Sequence, residues 1–179
     1  MPGQLHLLEY GKYKIIEPLG RSGQGQVFKG KVLSKKKNLE EIRPGDTIAI
    51  KYLSDPRRDE RIAKKILGFR HESVIKSYEF IEDKEIEGEG EKSFFWVMEY
   101  FEGEPLPIPI LDRDYDLECI LDIFIKICAG FEYIHSKNIT HRDIKPANIL
   151  VKLEAKEVRI LDFSLSKPDE EEQSEKIEA

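Results

Sequence analysis

"HRDIKPAN", residues 141–148, and "LDFS", residues 161–164, are the two stretches whose reading decides the fold. The first, with Ile139 and Thr140 ahead of it, is polar and carries Pro146, so it reads as a loop. Between the two, "ILVKL" (149–153) and "EVRILDF" (157–163) are short, β-branched runs on either side of "EAKE" (154–157), the pattern of a hairpin. Asp162 therefore stands at a strand end, while Asp143 and Asn148 stand in the loop ahead of the hairpin.

Upstream of that loop, Leu117, Ile120, Leu121, Phe124, Ile127, Cys128, Phe131 and Ile134 recur at helical spacing and predict one long helix from Leu117 to His135 with these residues on a buried face. The same reading assigns Cys119 and Cys128 to core packing. The prolines of "EPLPIPIL" (104–111) forbid a helix or a central strand and predict an extended linker. Nearer the N-terminus the period is that of strands. "YKIIEPLG" (13–20) and "QVFKGKV" (26–32) flank the turn "GRSGQG" (20–25), "TIAIKYL" (47–53) follows, and "SVIKSYEFIED" (73–83) and "SFFWVMEYF" (93–101) complete five strands. From Asp55 to Arg70, Ile62, Ile66 and Phe69 predict a single amphipathic helix that packs on this sheet.

Composition excludes several function classes. Hydrophobic residues make up 40% of the 179 and charged residues 36%, so a packed core lies under a heavily charged surface rather than a disordered chain. The formal net charge of −6 argues against a nucleic-acid partner, because neutralising phosphates needs clustered Lys and Arg. The two cysteines form no CxxC, which argues against zinc and for a reduced, cytoplasmic setting. "CILDIFIKICAGF" (119–131) is interrupted by Asp122 and Lys126, and the N-terminus lacks a basic and then apolar leader, so neither a membrane span nor a signal peptide is expected.

The chemistry-bearing residues are sparse and ordered. "GRSGQG" is neither a Walker A loop, since no Gly-Lys-Ser/Thr follows, nor a dinucleotide fingerprint, since a strand and not a helix comes next. A glycine turn between two strands can instead lie over phosphates as a flap. Lys51 shares a strand face with Ala49 through the two-residue period, and a lysine turned inward is costly unless something anionic meets it. His-Arg-Asp, an asparagine five residues beyond Asp143, and an Asp-Phe pair at a strand end then follow in the order used for phosphoryl transfer.

With these motifs in order, the sequence resembles the eukaryotic-type (Hanks-type) serine/threonine protein kinase family from about Tyr13 to about Lys167. "LGRSGQGQV" looks like the glycine-rich loop, "IAIK" the lysine strand, "HESVIK" the segment after the first helix, "WVMEYFEG" the hinge, "HRDIKPAN" the catalytic loop and "LDFS" the metal-binding turn. The resemblance implies an α+β, protein kinase-like fold: a five-stranded antiparallel N-lobe with one helix and a hinge (residues 1–101), an incomplete, mainly helical C-lobe (102–168) and an acidic, disordered tail (169–179). It implies ATP and Mg²⁺ as cofactors and a protein substrate with a Ser/Thr hydroxyl. Gly20, Ser22, Gly23 and Gly25 would form the flap, Val27 and Ala49 the adenine roof, and Lys51 the contact to the α- and β-phosphates. Met98 would be the gatekeeper, with the backbones of Glu99 and Phe101 on adenine. Asp143 would accept the hydroxyl proton, Lys145 would meet the transferred phosphate, and Asn148 and Asp162 would hold Mg²⁺.

The sequence also departs from the family pattern. Ser22 replaces a loop glycine, Ser164 replaces the glycine of the metal-binding turn, and Pro105 stands where a polar ribose contact is usual. The family spacing puts the partner of Lys51 at Ile62, with Glu60 the nearest carboxylate. The substrate-docking helices of the family are expected to be missing after the metal-binding turn, which would leave part of the Leu117 helix exposed for a partner chain. The leading expectation is an ATP-dependent serine/threonine kinase limited on its own by that truncation. The alternatives are a pseudokinase-like binding module and a truncated gene fragment.

Overall fold

In the computed structural model the described residues are 12–22, 25–34, 41–53, 65–83, 93–106, 116–163 and 167–168. The chain divides into two units, one formed by Met1–Gly68 and Lys76–Tyr100 and the other by Phe69–Ile75 and Phe101–Ala179.

The first unit is built on an antiparallel sheet of β1 (Tyr13–Ser22), β2 (Gly25–Val32), β3 (Thr47–Leu53), β4 (Ser77–Asp83) and β5 (Ser93–Glu99), in the order β1-β2-β3-β5-β4. Alternation along β3 and β5 sends Ile48, Ile50, Phe95 and Val97 to one face, where they form a core with Tyr13, Val32, Ile42 and Ile81. Of the helix expected over Asp55–Arg70, Lys65 and Ile66 are helical, and the chain turns at Leu67 and Gly68, so Phe69 and Arg70 lie beyond its end. Residues 54–64 lie outside the described residues.

The second unit centres on α1 (Leu117–Ser136), which starts at Asp116, whose side chain accepts from the Glu118 N–H at 3.3 Å. After α1 come β7 (Ile139–Thr140), a 3-10 turn (Pro146–Asn148), β8 (Ile149–Lys152) and β9 (Glu157–Ile160). The linker expected over residues 104–111 begins instead as a short strand, β6 (Glu104–Pro105), on the edge of a β6-β8-β9 sheet, where a proline is tolerated. A last two-residue strand, β10 (Lys167–Pro168), pairs with β7. Ile123 and Ile127 pack against Ile149, Val151 and Val158 to form the core.

The buried face of α1 matches the expected one at Ile127 and Ile134, with Ile120 and Phe131 packed against the core, but differs elsewhere. Ile123, Ile127, Gly130 and Ile134 are buried, whereas Leu117 is 67% and Leu121 52% exposed and Phe124 and Ile125 also face outward. Cys128 is exposed and Cys119 half-buried, so neither is a fully buried core residue. Gly130 explains the choice of face: a Cβ there would come within 2.6 Å of Ile160 Cδ1 and 3.0 Å of Ser73 Cβ, so its lack of a side chain admits both neighbours. The fourth strand also starts later than expected, at Ser77. Val74 bridges Ile160, the Ile75 N–H donates to the Ile160 carbonyl (3.0 Å), and the Ile160 N–H donates to the Ser73 carbonyl (2.8 Å), which ties this segment into the second unit.

Candidate active site

In the first unit, cross-strand register brings four of the expected site residues onto one sheet face. Val27 lies opposite Lys51 and Lys51 opposite Trp96; in the next row Lys29 lies opposite Ala49, Ala49 opposite Met98 and Met98 opposite Ser77. Directly opposed residues share a face, so Val27, Ala49, Lys51 and Met98 stand together, on the side away from the Ile48–Ile50 core. Lys51 is 4% exposed. Sequence reading missed Trp96 and Ser77 on this face; both are buried, and Trp96 Nε1 and Ser77 Oγ have no hydrogen-bond partner among the described residues.

Gly20 pairs with Val27, and Ser22 with Gly25, where β1 turns into β2. Gly23 lies outside the described residues. Gly25 has φ +153°, and a Cβ there would sit 1.9 Å from the carbonyl oxygen of Tyr52, so only glycine lets the start of β2 cross β3 this closely. At the end of β5 the Glu99 N–H donates to the Lys76 carbonyl (2.8 Å), and the Glu99 carboxylate turns back to accept from the Lys76 N–H (3.2 Å).

In the second unit the loop after β7 brings three expected residues into one hydrogen-bonded group. Lys145 Nζ lies 2.7 Å from Asp143 Oδ2, and Asn148 Nδ2 donates to both the Asp143 carboxylate and its backbone carbonyl, each at 2.8 Å. The 3-10 turn that starts at Pro146 makes this possible by folding Asn148 back over the loop, where it is buried. Lys145, more than burial, sets the electrostatics of Asp143: its hydrogen bond holds the carboxyl below the usual carboxylate range, Asn148 helps, and burial and Asp162 oppose.

Asp162 is positioned through its neighbours. Leu161 donates its N–H to the Asn148 carbonyl and accepts from His141 Nε2 through its own carbonyl, both at 2.8 Å. Asp162 itself takes a left-handed backbone, φ 59°, and Phe163 beyond it is fully buried against His141 and Phe69, at ring separations of 5.2 and 5.9 Å. The tautomer of His141 follows from its partners. The Asp143 N–H can only donate, at 3.3 Å to Nδ1, and the Leu161 carbonyl can only accept, so the ring is neutral with its proton on Nε2. Burial pushes His141 below the ordinary histidine value, in agreement with that state.

Phe101 lies under the Arg159 guanidinium, 4.7 Å from the ring centre, and Arg159 also donates to the Glu72 carbonyl. Pro105 pairs with Leu150. Glu60, Ile62 and Ser164 lie outside the described residues. Among the described residues no three His, Cys, Asp or Glu side chains cluster as a self-sufficient metal cage, and no helix is long and apolar enough to cross a membrane.

Known proteins similar to this chain identify its family. The family model for the protein kinase domain matches residues 13–178. Serine/threonine-protein kinase A of Synechocystis sp. is 29% identical over 177 residues, covering 87% of this chain and 31% of that protein. Serine/threonine-protein kinase PknD of Chlamydia muridarum is 33% identical over 187 residues, covering 93% of this chain and 18% of that protein. Among solved structures, Rad53 1-466 in complex with AMP-PNP superposes with a TM-score of 0.68 at 26% identity, covering 86% of this chain and 38% of that one. The chain belongs to the protein kinase domain family, and it spans less than a third of the length of these two curated relatives.

Proposed function

We propose that this chain binds Mg²⁺-ATP and carries the residues for phosphoryl transfer to the Ser or Thr hydroxyl of a protein. The observation that carries the reading is the Asp143–Lys145–Asn148 group: an ionised carboxylate fixed by two donors, beside an ammonium suited to a transferring phosphate. Asp143 accepts the hydroxyl proton as the oxygen attacks, and Lys145 meets the charge on the moving phosphoryl group. Val27 and Ala49 cover the adenine and Lys51 meets the α- and β-phosphates. Gly20, Ser22, Gly23 and Gly25 form the flap. Met98 borders the base, Phe101 offers backbone to it, and Glu99, whose N–H is committed to Lys76, offers its carbonyl.

The donor set fits magnesium. Asn148 Nδ2 is committed to Asp143, which leaves its amide oxygen for a hard cation, and Asp162 supplies a carboxylate. Mg²⁺ takes few protein oxygens and completes its shell with water and phosphate, so a larger cage is not needed. When bound it offsets negative charge on the phosphates.

The test has two readouts. Mg²⁺-ATP at about 100 times its Kd is expected to stabilise the fold by about 2.7 kcal/mol, a rise of about 5–10 °C in Tm. Labelled phosphate should pass from ATP to a generic protein substrate and cease to do so in Asp143→Asn. No thermal shift overturns the nucleotide reading. Binding without transfer favours a pseudokinase-like interaction module, a second reading supported by the outward apolar residues Leu117, Leu121, Phe124 and Ile125 on α1.

A further inference from the structure

β1 is an edge strand whose hold on β2 weakens just before the glycine turn. Its register breaks twice, between Ile15 and Glu17 and between Pro18 and Gly20, and the two extra residues, Ile16 and Leu19, are 46% and 45% exposed. Each break removes ladder bonding, and Pro18 has no N–H to give. Only Glu17 and Pro18 stay in register between the breaks, opposite Lys29 and Phe28. At that point Lys29 reaches in two directions: its Nζ lies 3.4 Å from Glu17 Oε1 and 4.8 Å above the centre of the Tyr100 ring. Tyr100 directly follows β5, next to Glu99, and Lys29 stands opposite Ala49 on the face that carries Val27 and Lys51. One cation thus joins the bulged strand before the flap, the roof strand and the backbone assigned to the base.

We propose that Lys29 is a positioning residue, a latch that holds the β1–β2 flap against the end of β5 and so sets nucleotide affinity; this rests on the nucleotide reading given above. An exposed ion pair contributes little to global stability, but an edge hairpin with two bulges opens locally, and there a modest cation–π contact plus an ion pair shifts the balance. Tyr100, ahead of Glu17, raises the Lys29 ammonium above its ordinary value. Arginine at this position can keep both contacts, because its guanidinium stacks on aromatic rings and pairs with carboxylates, whereas methionine keeps only the stem.

The test uses the whole chain. Hydrogen exchange at the amides of Gly20, Arg21 and Ser22, measured without nucleotide, is expected to quicken about threefold to tenfold in Lys29→Met. Tyr100→Leu should do the same without adding to Lys29→Met, and Lys29→Arg should restore the slow rate. In calorimetry Lys29→Met should weaken Mg²⁺-ATP binding by a similar factor, with Tm nearly unchanged. Unchanged exchange in Lys29→Met overturns the latch, whatever the nucleotide result. Faster exchange with an unchanged Kd overturns its role in nucleotide affinity. A wild-type chain that binds no Mg²⁺-ATP overturns the nucleotide reading and with it that role, while the exchange data still decide the latch itself.

Discussion

Lys145 Nζ lies 2.7 Å from Asp143 Oδ2, two residues away along the same loop, and each perturbs the other in the expected direction: the carboxyl is held down and the ammonium held up. Asp143 therefore stays ionised to a lower pH than an ordinary aspartate. In Lys145→Met its pKa should rise toward the usual carboxylate value, although the Asn148 hydrogen bond remains. Titration of the Asp143 carboxyl carbon by NMR in the unliganded chain reads this directly, and any acid limb of phosphate transfer should move up in pH with it. An Asp143 that titrates identically in the two proteins would show that the pair does not form in solution.

His141 should make the fold acid-sensitive in a defined window. Its folded pKa is below the unfolded value of about 6.5, so on falling pH the unfolded chain takes up the proton first. Its contribution to stability is therefore complete above about pH 6.5 and declines as pH falls from there toward the depressed folded value. Protonation would place an N–H on Nδ1, facing the Asp143 N–H that now donates to it. Denaturant unfolding from pH 8 to pH 5 should show this loss in the wild type, and the slope between pH 6.5 and 5 should flatten in His141→Gln. Equal slopes in the two proteins would remove His141 as the cause.

Gly25 is fixed by backbone, not by a side chain that could swing aside. An alanine Cβ would lie 1.9 Å from the Tyr52 carbonyl oxygen, at a φ of +153° that alanine also disfavours. Gly25→Ala should thus push the start of β2 off β3, at a cost on the order of 2 kcal/mol and a fall of about 4–8 °C in Tm. Exchange should quicken at β1 and β2 amides before those of β5. A Tm within about 1 °C of the wild type would mean that the close crossing is absent in solution.

Much of this was legible in the sequence because local period and strand pairing agree. "TIAIKYL" is bounded as a strand at Thr47 and Leu53 by its own β-branched alternation, and the five strands of the first unit follow the same logic. The spacing of Asp143, Lys145, Asn148 and Asp162 was equally readable, since it lies within one loop and one hairpin. Three features were not. Cross-strand register, which sets Trp96 beside Lys51 and Ser77 beside Met98, is a property of pairs distant in sequence. The start of β4 was lost because Val74 and Ile75 are apolar like a strand yet bond to Ile160. The buried face of α1 was legible only in part, at Ile127 and Ile134, because the helix is apolar on two sides. Periodicity then says that some face is buried, and the decision rests on Gly130, which a hydrophobic pattern does not count.

That choice of face can be measured on α1 itself. Ile123 is fully buried among Ile127, Ile149, Val151 and Val158, so Ile123→Ala should cost about 2–5 kcal/mol through lost burial and the cavity left behind. Leu121, two residues earlier, is 52% exposed, and Leu121→Gln should stay within about 0.5 kcal/mol of the wild type. At about 2–4 °C per kcal/mol, the first substitution lowers Tm by at least about 4 °C and the second by no more than about 2 °C. The ordering inverts the one expected from the sequence stripe, which counted Leu121 as core and did not count Ile123. If Leu121→Gln proves as costly as Ile123→Ala at high protein concentration and harmless on dilution, the outward face of α1 is buried against a second copy. If it is costly at every concentration, the face assignment is wrong and the stripe through Leu121 is the core.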